Sequence, residues 1–142
     1  MVKPQNKDGF IWPVRIYYED TDAGGVVYYA NYLRFMERAR TEWLRSMGFE
    51  QDDLRRQGYL FAVKRVQIDY LFPARFNQLL DIHSNLTRLG RASLTFLQEV
   101  FRGDRRLASA TVDLVCVDAD RFRPTAFPPV LARQLKPLLN KE

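Results

Sequence analysis

One stretch dominates what this chain can fold into: residues 28–47, twenty positions without a proline or a glycine. Within it Tyr32, Phe35, Met36, Ala39, Trp43 and Met47 recur at three- and four-residue steps, which gathers them on one face of an α-helix. Arg34, Glu37, Arg38, Arg40, Glu42 and Arg45 fill the remainder, which reads as a solvated face. Arg34 with Glu37, Arg38 with Glu42, and Glu42 with Arg45 are spaced to pair along it. Gly48 stands where a helix commonly closes on a left-handed residue. A helix with one apolar face needs a second layer to cover it.

The rest of the sequence supplies that layer as strands. Residues 11–18 alternate at period two through Trp12, Val14, Ile16 and Tyr18, and Pro13 among them predicts a sheet edge. A short polar helix or turn is expected over 51–57. Strands are then predicted at 61–70, 79–89, 93–101 and 106–117, with turns at Gly90 and at Arg102-Gly103-Asp104. Beyond Pro124, Pro128 and Pro129 a short amphipathic helix carries Val130, Leu131, Leu135 and Leu138. Connections this short imply antiparallel pairing. The expectation is therefore α+β: a sheet of about five antiparallel strands with one long helix on one face. Residues 1–142 read as a single domain, with no repeat and no linker. One helix covers one face only, so a second copy of the chain is the expected cover for the rest.

Counts exclude several classes of function. The single cysteine, Cys116, rules out an internal disulfide and a cysteine-based zinc cluster, and the single histidine, His83, rules out any paired-histidine metal site. No metal and no cofactor are expected. Cys116 lies in the apolar run LVCV and reads as a small buried side chain, and His83, mid-strand in DIHSNL, reads as a surface or packing residue. Twenty-two Lys and Arg against seventeen Asp and Glu leave a charge of +5, but no nucleic-acid motif accompanies it. The first ten residues lack the apolar core of an export signal, and no apolar run approaches the ~20 residues of a membrane span. A cytoplasmic chain is the expectation.

Chemistry concentrates in the loop EDTDAGG, residues 19–25, just ahead of the long helix. Asp, Thr and Gly are ordinary turn and cap residues, and the loop can be no more than that. Three features favour a site. Gly24 and Gly25 let the backbone approach a ligand closely. The N–H groups at a helix start can stabilise negative charge. A carboxylate just upstream can serve as a base or a nucleophile.

The segment WPVRIYYEDTDAGGVVYYANYLRFMERARTEWLR, residues 12–45, resembles the signature of the 4-hydroxybenzoyl-CoA thioesterase class of hotdog-fold proteins. More narrowly, it is similar to the Tol–Pal-associated acyl-CoA thioesterases of Gram-negative bacteria, a likeness that FAVKRVQIDYLFPARF and LVCVD extend over nearly the whole chain. The resemblance implies a curved antiparallel sheet wrapped around the helix, a homodimer or homotetramer with sites at subunit contacts, and hydrolysis of acyl-CoA or acyl-carrier-protein thioesters. It assigns the catalytic carboxylate to Asp22, before Ala-Gly-Gly, and the donor that polarises the thioester oxygen to the backbone N–H of Tyr29. Many relatives carry histidine at that position; this chain reads Tyr28-Tyr29-Ala30-Asn31, so a histidine side-chain role is absent there while the backbone donor survives. Gly24, Gly25, Tyr28 and Asn31 become substrate-binding candidates. Lys64, Arg65 and Arg91 are candidates for the CoA phosphates. The competing reading is a non-catalytic acyl-CoA or acyl-carrier-protein binding module, against which the retention of Asp22 and both glycines counts.

Overall fold

The architecture was obtained as a computed structural model that describes residues 9–139. Eight of the ten positions read as free of an export signal lie outside the described residues. The first strand, β1 (Phe10–Arg15), is shorter than the alternating pattern predicts. Ile16 still exchanges backbone hydrogen bonds with the segment that follows residue 76, its N–H donating to Gln78 and its carbonyl accepting from Asn77. The chain then curls into a 3₁₀ turn at Tyr18–Asp20, because the Asp20 carboxylate accepts the Tyr17 N–H at 2.8 Å.

The long helix, α1, spans Asn31–Ser46 and begins three residues after the stretch free of proline and glycine does. Residues 28–30 form a tight turn instead. There the Asn31 N–H reaches the Tyr28 carbonyl at 2.8 Å and the Leu33 N–H reaches that of Ala30 at 3.2 Å. After α1 come α2 (Gln51–Arg56), β2 (Tyr59–Tyr70), β3 (Leu79–Leu89), β4 (Ser93–Arg102), β5 (Arg105–Asp118) and α3 (Pro129–Leu135). The strands form one antiparallel sheet in the order β1-β3-β4-β5-β2, with β1 and its Pro13 at one edge, as the proline predicts, and β2 at the other. Registers skip between Val63 and Arg65, Leu86 and Arg88, and Val100 and Phe101. Bulges of this kind bend a sheet, and this one curves over α1.

Tyr32, Phe35, Met36, Ala39 and Trp43 are all buried, packed with Leu80, Ile82, Leu86, Phe96 and Val100 of the sheet in one core. The Trp43 ring meets Phe96 edge-on at 4.8 Å between centroids. Each fully buried side chain of this size contributes about 1.5–3 kcal/mol, so this face alone supplies roughly 10 kcal/mol toward holding helix to sheet. Cys116 is buried, and burial pushes its thiol up to about 11. His83 lies in mid-strand against Phe101, with 4.5 Å between ring centroids.

Two expectations for α1 need correcting. Of the three predicted ion pairs only Glu42–Arg45 forms among the described residues, and Arg45 also reaches Glu50 at 3.0 Å. Arg40 is half-buried, and its guanidinium donates to the side-chain oxygen of Gln98 at 2.8 Å. Gln98 is fully buried, and its amide donates to Ser84 Oγ at 2.9 Å and to the Met36 carbonyl at 3.1 Å. Burial lowers the Arg40 pKa, with Glu37 acting against it.

Candidate active site

The loop between β1 and α1 folds back on itself as a small hairpin. Tyr28 N–H donates to the Asp20 carbonyl at 2.9 Å, Thr21 pairs with Val27, and Asp22 N–H donates to the Val26 carbonyl at 2.9 Å. Gly25 closes the tip with φ +81°, a left-handed conformation in which a side chain would be strained. The far arm is tied to the segment after β2: Val27 N–H donates to the Ala74 carbonyl at 2.8 Å, and Val26 pairs with Arg75.

Asp20 anchors the whole device. It is only 6% exposed, and besides the Tyr17 N–H its carboxylate accepts the Asn31 side-chain amide at 2.6 Å. Asn31, expected among the substrate-binding residues, is itself 8% exposed and commits its amide to this contact. It joins loop to helix. Sequence spacing singles out Asp22 and passes over Asp20; an acidic side chain three residues after an aromatic strand end, able to cap the turn that follows, is the signal that could have found it.

Asp22 itself lies exposed on the hairpin. One carboxylate oxygen accepts the Gly24 N–H at 2.8 Å, which fixes the side chain's direction, and the other has no partner among the described residues. A Cβ at Gly24 would stand 3.2 Å from that first oxygen, so glycine there leaves the carboxylate its place. Across the turn, the N–H groups of Tyr29 and Ala30 find no acceptor among the described residues. The first turn of α1 carries no acidic side chain of its own and no side-chain cap. The Tyr28 and Tyr29 rings are exposed and lie 5.0 Å apart.

One chain does not gather all the predicted residues. Lys64 and Arg65 lie exposed in the middle of β2, with Lys64 the extra residue of its bulge. Arg91 is exposed in the β3–β4 turn, at the opposite end of the sheet from Tyr70 and the loop between β1 and α1. The exposed cation that does stand beside the loop is Arg75, which no sequence motif marks. A cavity of about 110 Å³ opens further along α1, walled by Arg40, Trp43, Phe61, Leu94 and Leu131, and no loop residue lines it.

A carboxylate with one oxygen open and two amides without acceptors among the described residues thus lie on one braced segment ahead of α1. Residues 17–135 match the model of the thioesterase-like superfamily. The chain is 47% identical over 122 residues to the acyl-CoA thioesterase YbgC of Haemophilus influenzae, covering 85% of this chain and 90% of that protein. It is 43% identical over 128 residues to the acyl-CoA thioester hydrolase YbgC of Escherichia coli O157:H7, covering 89% and 96%. Among solved structures, a hypothetical protein of Aquifex aeolicus superposes with a TM-score of 0.85 at 31% identity, over 89% of this chain and 99% of that one. The chain belongs to the thioesterase-like superfamily, and its curved sheet over α1 is the hotdog fold expected from residues 12–45. Among the described residues no helix is long and apolar enough to cross a membrane.

Proposed function

We propose that this protein hydrolyses acyl-CoA thioesters to a free acid and CoA, with Asp22 as general base or nucleophile and the Tyr29 N–H as oxyanion donor. What carries the reading is the loop itself, where an exposed carboxylate and unsatisfied amides share one hydrogen-bonded hairpin. In the base-catalysed route Asp22 takes a proton from water, whose oxygen bonds to the thioester carbonyl carbon. The carbonyl electrons move onto oxygen and are held by the Tyr29 N–H. Collapse breaks the C–S bond, and the sulfur leaves with the electron pair. A thiol of ordinary pKa ~8.5 departs with little protonation, so the site needs no strong acid. In the nucleophilic route Asp22 attacks the carbonyl carbon first, the C–S bond breaks to release the CoA thiolate, and water then cleaves the resulting anhydride to the free acid and the Asp22 carboxylate.

Gly24, Gly25 and Tyr28 border the reacting group in this reading, and Asn31 holds the loop to the helix. Lys64, Arg65 and Arg91 are proposed to meet the CoA phosphates in an assembly of two or four copies, joined in part through the exposed edge of β2. Acyl-carrier-protein thioesters form a second substrate class in this proposal, and the proposed location is the cytoplasm. Asp22→Asn should lower kcat by about 10²–10⁴-fold across a panel of short, long and aromatic acyl-CoAs. Tyr29→Pro should cost about 10²–10³-fold while Tyr29→His stays active. Hydrolysis by the Asp22→Asn protein within a few-fold of the parent would remove Asp22 from the chemistry. Tight acyl-CoA binding without turnover by the parent would favour the non-catalytic module.

A further inference from the structure

The turn that carries the oxyanion amides has a support reaching it from the far edge of the sheet. Tyr70, the last residue of β2, donates its hydroxyl to the Tyr29 carbonyl at 2.9 Å, across 41 residues of sequence. Its ring meets Tyr29 edge-on at 6.2 Å and Tyr32 at 5.3 Å between centroids. The Tyr29 carbonyl would otherwise be an orphan, because the Leu33 N–H that would serve it in a regular helix goes to Ala30 instead. Partial burial and the neighbouring Tyr29 push the Tyr70 hydroxyl's pKa upward, so it stays a donor.

Two consecutive peptide planes are thereby fixed from their carbonyl sides. The plane between Tyr28 and Tyr29 is held by the Asn31 N–H, and the plane between Tyr29 and Ala30 by Tyr70. Their N–H groups belong to Tyr29 and Ala30, the two donors without acceptors among the described residues. A carbonyl that accepts a hydrogen bond also polarises the N–H of the same peptide group. We propose that Tyr70 is a positioning residue for the oxyanion-binding turn, holding the Tyr29–Ala30 peptide so that its amide joins that of Tyr29 as a second donor. This rests on the thioesterase reading above. Donors aimed beforehand at the developing charge act on the transition state and not on the ground state.

The test is Tyr70→Phe, which keeps the ring and its packing and removes only the hydroxyl. With a saturating acyl-CoA, kcat should fall roughly tenfold, short of the ~10²–10³-fold cost of losing a donor outright. KM should stay within about twofold of the parent, since uniform binding is untouched. A bond that serves folding alone would lower the melting temperature and leave kcat where it was. That result, or a kcat within about twofold of the parent, overturns the proposal. If Asp22→Asn is inactive while Tyr70→Phe is fully active, the thioesterase reading stands and the role of Tyr70 falls. If both variants match the parent, the catalytic assignment fails along with it. Tyr70→Leu gives the lost-packing comparison and should be no more active than Tyr70→Phe.

Discussion

At the scale of single residues, Asp20 and Asp22 divide the work of one loop. Asp22 is open to solvent and points one oxygen outward; Asp20 is buried and spends both oxygens on donors from two different segments. Changing Asp20 to Asn replaces one acceptor by an NH₂ group, so either the Tyr17 N–H or the Asn31 amide loses its partner. An unsatisfied buried donor costs about 1–3 kcal/mol. Asp20→Asn should therefore lower the urea midpoint and reduce kcat, whereas Asn31→Asp, which sets two carboxylates together, should be worse on both counts. An Asp20→Asn protein with the parent's stability and kcat would show that the loop does not depend on this anchor. Asp22 stands out in the sequence because the family resemblance marks the aspartate before Ala-Gly-Gly. Asp20 does not, because its partner lies eleven positions away and only the folded hairpin brings them together.

At the scale of elements, α1 shows what periodicity gives and what it hides. The three- and four-residue rhythm identifies the buried side of the helix, and the core contains Tyr32, Phe35, Met36, Ala39 and Trp43. The same rhythm contains Arg40, four residues after Met36 and three before Trp43, yet its chemical type assigns it to solvent. Its place was readable from spacing; the glutamine that makes the place tolerable was not, since Gln98 comes from a strand 58 residues later. Gln98→Leu should strand the Arg40 guanidinium and the Ser84 hydroxyl together and cost several kcal/mol by urea unfolding, because a charge buried without its partner is expensive. Adding Arg40→Leu should recover part of that loss, a non-additivity that a double-mutant cycle measures directly. Additive losses would mean the two side chains are energetically independent. The turn just ahead of the helix was hidden for a related reason. Nothing in the composition of residues 28–30 forbids helix, and the turn exists because Asp20 and Tyr70 claim its N–H and carbonyl groups.

At the scale of the whole molecule, the chain carries a surplus of +5, and the candidate cations within it stand apart, Lys64 and Arg65 in mid-β2 and Arg91 in the β3–β4 turn. Lys64, Arg65 and Arg91 are the proposed CoA contacts. Phosphates far from the reacting carbonyl bind alike in ground and transition states, so neutralising these cations should raise KM and leave kcat nearly unchanged. Exposed charge contacts also fade as the Debye length falls from about 10 Å at 0.1 M to about 3 Å at 1 M salt. KM for an acyl-CoA should rise with salt, and KM for the matching acyl-pantetheine should not. Equal KM values for the two substrates would exclude a CoA phosphate site and turn attention to carrier-protein thioesters.

The edge strand β2 holds a further consequence. Its twelve residues leave Val63, Val66 and Tyr70 open to solvent, the kind of border onto which a stray strand from any unfolded chain could zip. The extra residue at Lys64 breaks the even spacing of donors and acceptors along that border. A regular strand laid against it falls out of step halfway, and finds a lysine at the break. A partner strand has to absorb that offset, as β5 does on the inner side, where its pairing with β2 runs from Tyr59 to Tyr70 with one register shift. The bulge thus works like the wards of a lock: it leaves the border usable and restricts who can use it.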